Sequence, residues 1–387
     1  MERAPTVTGD SSEIVIDGSH GEGGGQIVRS VLALSAITGR ACRIVRIRAG
    51  RAKPGLQPQH LAAVRAAATL CNADVHGGEL GSDALRFRPN GAPRAGEYVF
   101  DVAEARLGGS AGAATLVLQT AALPAFFAEG ISVFRIRGGT HVPRSPPFDY
   151  IADAWCPLLK IMNLQIGVEL TRFGFYPAGG GEIVARIEGR GRDGGLQLRP
   201  VTLIEKGALR SVKVRAVGAN LPDHVPRRMA ERARTLLQDV APRLEIREEL
   251  ASARSAGAGI FLCAAYDQVS CAFSALGARG KPSEVVAEEA VAQLLRHRSC
   301  GAALESHLAD QILLQLALPN VPSSFTTEDV TSHLQTNAWV IEQFGLARIA
   351  VETRGDGTAV VKVNPSTRFS VGRAVAGCVR GDGVTSS

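Results

Sequence analysis

Short apolar stretches at helical spacing alternate along the chain with β-rich runs and glycine turns. The first helical stretch, Ile27 to Leu34, stands directly behind Gly21, Gly23, Gly24 and Gly25. A strand pattern, Cys42 to Ile47, follows, and then a second helix from Pro58 or Gln59 to Cys71. The same succession returns 89 residues later. Gly109 to Gln119 repeats the character of Gly24 to Leu34, Ile136-Arg-Gly-Gly139 answers Ile47-Arg-Ala-Gly50, and Phe148 to Ile161 supplies the second helix. A third copy is written late, as Leu308 to Leu318 and then Val330 to Phe344. Each copy reads as helix, strand, helix, strands, which is a repeated α/β module whose sheet packs on its helices. The predicted fold class is therefore α/β (α+β), with three such modules forming one large domain.

The second and third copies stand too far apart for an 89-residue period, and roughly a hundred residues are interposed. That segment carries its own strands (Ser211 to Val217, Leu244 to Glu249, Ile260 to Tyr266) and a helix (Arg227 to Leu237). A smaller α/β domain inserted between repeats two and three is the simplest reading. The boundaries predicted are a tail at 1–12, the large domain at 13–186 and 278–365, the insert at 187–277 and a second tail at 366–387.

Composition narrows the class. With 45% hydrophobic and 21% charged residues in 387, the chain is an ordinary globular protein with material for a large core. No apolar run is long enough to span a bilayer, and the start of the chain lacks a signal-peptide pattern. The seven cysteines form no Cys-x-x-Cys pair, which argues against a disulfide framework or zinc knuckle and for a reducing, cytoplasmic setting. The oligomeric state is left open by these features.

A net charge of +6 suits a polyanionic partner, and its placement adds weight: Arg43, Arg46, Arg48, Arg51 and Lys53 put five cations into eleven positions. They run from a strand into a Gly/Pro loop ahead of a helix, where α/β proteins commonly bind phosphate. A charge-protected strand edge would carry the same residues. The bare backbone at Gly21–Gly25 allows close approach of an anion to a helix N-terminus, although a tight turn before a core helix would read alike. Glu22 offers a carboxylate for a divalent cation there, and Arg29 a guanidinium for phosphate. This is no Walker loop, because no Gly-Lys-Ser/Thr follows. Two late segments add polar helix starts: His307, Asp310 and Gln311 in one, and His333 among small polar residues in Thr331-Ser-His-Leu-Gln-Thr-Asn337 in the other.

Taken in order, Gly21 to Arg29, Ile47 to Leu56, Gly138-Gly-Thr140, Gly174-Phe-Tyr-Pro-Ala-Gly-Gly-Gly181, Leu308-Ala-Asp-Gln311 and Ser332-His-Leu-Gln-Thr-Asn337 resemble the RNA 3′-terminal phosphate cyclase family. The resemblance spans about Glu13 to Val363. It implies an ATP-dependent enzyme that works with a divalent cation, Mg2+ or Mn2+, and takes RNA with a 3′-phosphate end to a 2′,3′-cyclic phosphate. In such enzymes a histidine attacks the α-phosphorus of ATP, AMP passes to the RNA phosphate, and the neighbouring 2′-hydroxyl then displaces it.

By match to the family's motifs, His333 is the expected nucleophile and Glu22 the expected metal ligand. Arg29, Arg48, Arg51 and Gln59 are expected at phosphates of ATP or of the RNA end. Gln119, Pro146 and the segment His307, Leu308, Ala309, Asp310 and Gln311 are expected to hold the nucleotide. His307 stands where some members have tyrosine, and an imidazole can also stack on a base. Ring closure needs a 2′-hydroxyl, so a DNA 3′-phosphate would not be closed. Two rival classes share parts of this pattern. A non-catalytic relative, binding RNA or protein in ribosome biogenesis, would lack the nucleophile, and an enolpyruvyl-type transferase would explain the repeat but not the Ser-His-Leu-Gln-Thr-Asn segment.

Overall fold

The structure is a computed structural model and describes residues 13–105, 111–191 and 197–366. Both predicted tails except Ser366, Gly109 and Ser110 of the second helix motif, and residues 192–196 of the predicted insert boundary lie outside the described residues.

The first module comprises β1 (Ile14–Asp17), α1 (Gly25–Thr38), β2 (Cys42–Val45), α2 (Pro58–Cys71), β3 (Asp74–His76) and β4 (Leu85–Arg88). Its strands lie in the order β1-β2-β4-β3, with β1 and β2 parallel and the other pairs antiparallel. A parallel pair cannot be closed by a tight turn, so α1 serves as the crossover. Alternation decides which face is covered: Ile14 and Ile16 are buried while Val15 between them is exposed.

The second module repeats this plan with β5 (Glu97–Asp101), α3 (Ala114–Phe126), β6 (Glu129–Gly138), α4 (Phe148–Tyr150), α5 (Cys156–Ile161), β7 (Gln165–Arg172) and β8 (Gly181–Arg190). A π-helical turn, Ile151–Trp155, joins α4 to α5. The order β5-β6-β8-β7 and the strand directions are those of the first sheet. The third module starts with β9 (Thr202–Leu203), after which the inserted unit intervenes. That unit consists of β10 (Leu209–Ala219), α6 (His224–Leu237), β11 (Leu244–Ala251), β12 (Gly257–Tyr266), β13 (Ser270–Leu276) and α7 (Ser283–Ser299). The third module then resumes as α8 (Ser306–Leu316), β14 (Ser323–Thr327), α9 (Ser332–Gln343), β15 (Ala347–Thr353) and β16 (Ala359–Pro365). Its order, β9-β14-β16-β15, matches the other two. The expected α/β class with repeated modules therefore holds, each module having the plan βαβαββ.

The sheets draw the insert's edges at other residues than the hydrophobic pattern does. β8 runs on past residue 187, to Arg190, as part of the second sheet. β9 pairs in parallel with β14, so the third module opens before the insert and is interrupted by it. At the far end α7 packs on α6 and on β12 and β13, which gives the inserted sheet two helices on one face. A two-residue strand is too short to show alternation. One strand also ends early: the predicted Cys42–Ile47 stops at Val45, because Arg46 and Arg48 adopt φ values of 54° and 56° and turn the chain off the sheet.

The helices pack between the sheets in a core that runs without a break through all three modules and the insert. Leu116, Val117, Leu118, Leu123 and Phe126 are buried all round α3, as expected for a helix at the centre rather than on the surface. No helix among the described residues is long and apolar enough to cross a membrane. Phe325, fully buried on β14, holds the third sheet against this core. Phe325→Ala should lower unfolding free energy by about 3–5 kcal/mol, read as a shift of the urea midpoint.

Candidate active site

Two helix N-termini meet although more than 300 residues separate them in sequence. The glycine loop needs its lack of side chains at two positions. Gly21 has a φ of +59° and lies against Thr336, and a Cβ on Gly25 would stand 2.0 Å from His60 Nε2. From this loop Gln26 Nε2 donates to the carbonyl of His333 (3.0 Å), and Ser30 Oγ donates to Asn337 Oδ1 (2.7 Å). Asn337 Nδ2 in turn donates to the Asp310 carbonyl (2.8 Å), which ties α8 to the same joint. His20 stacks on Trp339 with ring centroids 3.9 Å apart. Thr331 caps α9 by accepting from the Leu334 amide at 3.0 Å. His333 therefore projects from the first turn of a capped helix held from both sides.

Its imidazole lies between two acids whose surroundings push their pKa values in opposite directions. Nε2 is 3.4 Å from Glu22 Oε2 and Nδ1 is 3.8 Å from Asp310 Oδ2. The Ser332 hydroxyl and Arg51, whose Nη2 reaches Glu22 Oε2 at 2.7 Å, hold Glu22 below the usual carboxylate range. Burial, reinforced by the negative charge of Glu305, pushes Asp310 well above that range. Glu22 is thus the ionised partner, while burial disfavours the charged form of Asp310. Desolvation moves His333 itself below 6.5, with Glu22 opposing and Arg29 and His307 assisting the shift. The neutral ring, with a free lone pair, is the favoured form near pH 7.

A cleft of about 1360 Å³ opens beside this ring. Glu22, Arg29, Arg48, Arg51, Gln59, Gln119, Pro146, His307, Asp310, Gln311 and His333 all line it. Of the thirteen expected site residues only Leu308 and Ala309 do not; both are fully buried behind the wall, in the core. Gln119 Nε2 donates to Gln311 Oε1 (2.6 Å), and Gln59 Oε1 accepts from the Ala113 amide (3.3 Å). Thr115 Oγ1 fixes the Pro146 loop through the Pro146 carbonyl (2.8 Å).

The cations are strikingly under-used by the protein's own acceptors. Arg29 has no hydrogen-bond or ion-pair partner among the described residues, and burial brings its guanidinium down to about 10. Nε of Arg48 and Nε of Arg51 are buried without acceptors. Clustered cations with free donors around an uncapped helix N-terminus suit several phosphate oxygens at once. Glu22, ionised at the mouth of the same cluster, offers the hard oxygen ligand that Mg2+ or Mn2+ prefers.

Three contributors escaped the sequence reading. Glu305, buried ahead of α8, caps it by accepting from the amides of His307 (2.8 Å) and Leu308 (2.6 Å), and also accepts from the Tyr150 hydroxyl. An acid immediately before a polar first turn is an N-cap signal that the expected segment, begun at His307, left out. His60 is buried, accepts the Gln57 amide at Nδ1 (3.0 Å) and leaves Nε2 without a partner beside Gly25. Burial and the nearby Arg29 and Arg48 depress it to about 3, so it stays neutral. The insert supplies the third contribution, with Phe273, Gln293 and Arg296 on the far wall of the cleft.

Against known proteins, a family model described as RNA 3′-terminal phosphate cyclase matches residues 20–351. An RNA 3′-terminal phosphate cyclase of Methylococcus capsulatus is 51% identical over 349 residues, covering 90% of this chain and 96% of that one. A relative of the same description from Gloeothece citriformis is 48% identical and covers 86% of this chain and 94% of its own. One from Methanopyrus kandleri is 40% identical, over 92% of this chain and 99% of its own.

The joint between α1 and α9 should be measurable. Asn337→Ala strands the buried Ser30 hydroxyl and the Asp310 carbonyl together, so it should cost about 1–3 kcal/mol in chemical denaturation. Loss of a few tenths only would mean that the two helices are held by packing alone.

Proposed function

The chain belongs to the RNA 3′-terminal phosphate cyclase family, and we propose that it converts an RNA 3′-terminal phosphate into a 2′,3′-cyclic phosphodiester with ATP, through a histidine–AMP adduct. The observation that carries this reading is His333, neutral and half-exposed, beside an ionised Glu22 on a cleft walled by Arg29, Arg48 and Arg51.

His333 attacks the α-phosphorus of ATP through the ring nitrogen that carries the lone pair; the N–P bond forms as the bond to the bridging oxygen breaks, and pyrophosphate leaves. A neutral imidazole needs no base to expose its lone pair. Asp310, on the Nδ1 side, orients the ring. Arg29, Arg48 and Arg51 hold phosphate oxygens of ATP or of the RNA end, because positioning and charge neutralisation dominate phosphoryl transfer. Glu22 would hold a divalent cation, which when bound supplies further neutralisation of phosphate charge. Gln119, Gln311 and His307 bind the nucleoside, with Pro146 against the base. The RNA 3′-phosphate then displaces His333 from AMP, and the 2′-hydroxyl attacks the activated phosphate and expels AMP. We further place the protein in the reducing cytoplasm, in line with the absence of a disulfide among the six described cysteines.

A non-catalytic, RNA-binding relative would have no reason to keep a neutral histidine among cations with unused donors. Incubation with α-labelled ATP and Mg2+ or Mn2+ tests the reading. Label that survives denaturation, is released by mild acid and vanishes in His333→Ala is the expected result, together with a phosphatase-resistant end on a short 3′-phosphorylated RNA. Transfer of label without loss in His333→Ala would move the nucleophile elsewhere, and no transfer at all would favour a binding protein.

The charge state gives a separate expectation. Only the neutral ring attacks, and desolvation places the pKa of His333 below 6.5. The rate of adduct formation should therefore stay on its plateau through pH 6.5 as pH falls, and decline only below it. A midpoint above 6.5 would show that Glu22 stabilises the imidazolium more than burial destabilises it.

A further inference from the structure

A second cluster of titratable side chains lies outside the proposed reaction, at the seam between the insert and the third module. His297 is in the last turn of α7 with its ring fully buried, Cys300 is the residue just past that helix, and Glu328 directly follows β14. One ligand atom from each lies within 4.8 Å of the other two. His297 Nδ1 is 3.0 Å from Glu328 Oε2 and 3.9 Å from Cys300 Sγ.

We infer that His297, Cys300 and Glu328 form a site for a zinc-type divalent cation that bridges the insert to the third module. The argument is geometric and chemical. Zinc bonds of about 2.0–2.3 Å in a tetrahedron separate the ligand atoms by about 3.3–3.6 Å, and the observed 3.0 and 3.9 Å straddle that range. The donor set of thiolate, imidazole and carboxylate selects a borderline-soft ion over Mg2+, which prefers oxygen ligands. His297 and Cys300 are three residues apart at a helix end and so share one side, while Glu328 arrives from another sheet.

The surroundings are built to hold this arrangement. Lys206 Nζ donates to the carbonyls of Cys300 and Ala302, which locks the turn that carries the thiol. His297 Nε2 is fully buried without a hydrogen-bond partner, and Nδ1 is the nitrogen that faces Glu328 and Cys300. Binding expels the thiol proton and any proton on Nδ1, leaves the cation with three protein ligands and keeps a fourth position for water. Without the cation, Glu328 is shared among His297, Arg296 (3.4 Å) and Ser306 Oγ (3.4 Å). Arg296 and Ser306 both line the cleft, Ser306 beside His307, so occupancy at the seam redistributes contacts at the nucleotide end.

Cobalt(II) titration of the full-length, metal-stripped protein tests the site. One equivalent should bind with visible d–d absorption of tetrahedral intensity and a near-ultraviolet thiolate charge-transfer band, and zinc should displace it. Cys300→Ser should remove the charge-transfer band and weaken zinc binding about 10-fold or more. His297→Gln should weaken it similarly, and an unchanged unfolding midpoint in Cys300→Ser keeps the result independent of folding. Glu22→Gln should leave both bands in place, which separates this site from the cation proposed in the catalytic cleft. Bands that persist in Cys300→Ser, or a wild-type protein that takes up no cobalt, would overturn the inference.

Discussion

The arrangement of the cleft depends on keeping the N-termini of α1 and α9 side by side. The restraints are few and specific: Gln26 to the His333 carbonyl, Ser30 to Asn337, Asn337 to the Asp310 carbonyl, and the Ser332 hydroxyl to Glu22. Each joins residues of the first module to residues of the third, or α8 to α9 within the third. Such bonds contribute only about 1 kcal/mol each, so their role is to fix register rather than to hold the fold together. A slip of one turn would carry His333 about 5.4 Å along the axis, away from Glu22 and the arginines. The continuous apolar core supplies the stability against which that register is set.

Electrostatics explains why the cleft awaits an anion. Arg29, Arg48 and Arg51 converge with few protein acceptors, and among the described residues the acid paired with them is Glu22, through Arg51. Like charges so placed are unfavourable in the free protein, and the falls in pKa of Arg29 and Arg48 express this together with burial. In the function we propose, a polyphosphate would relieve the repulsion, and a cation on Glu22 would balance the excess negative charge it brings. Burial disfavours the charged forms of Asp310 and Glu305 in the same wall.

Much of this organisation was legible in the chain. The helix-strand-helix repeat shows as recurring apolar helices and Ile-Arg-x-Gly strand ends, and eleven of the thirteen expected site residues line one cleft. Short motifs of this kind carry their meaning locally, because each sits at one helix start or one loop. What escaped depends on long-range pairing. β9 is two residues long and acquires its identity only from β14, 122 residues away. Glu305 and Tyr150 meet across 155 residues, and nothing near either one marks the other. The π-helical turn at Ile151–Trp155, which follows Tyr150, leaves no mark in a periodicity read at helical spacing. Leu308 and Ala309 illustrate the converse, since a motif contiguous in sequence winds around a helix and half of it faces inward.

Three modules with one backbone plan would be expected to offer three equivalent anion sites, since each starts its first helix behind the same strand. The caps break that symmetry. At α8 the first free amides are consumed by Glu305, and at α3 the amides of Ala113 and Ala114 are taken by Gln59 and the Gly139 carbonyl. Only α1 begins at a glycine, Gly24, with neither a side-chain cap nor a side chain in the way. Its dipole and amides remain open to solvent on the side where the arginines converge. Repetition thus builds the scaffold, and the choice of residue at each helix start, rather than any difference in fold, decides which copy is left able to receive phosphate.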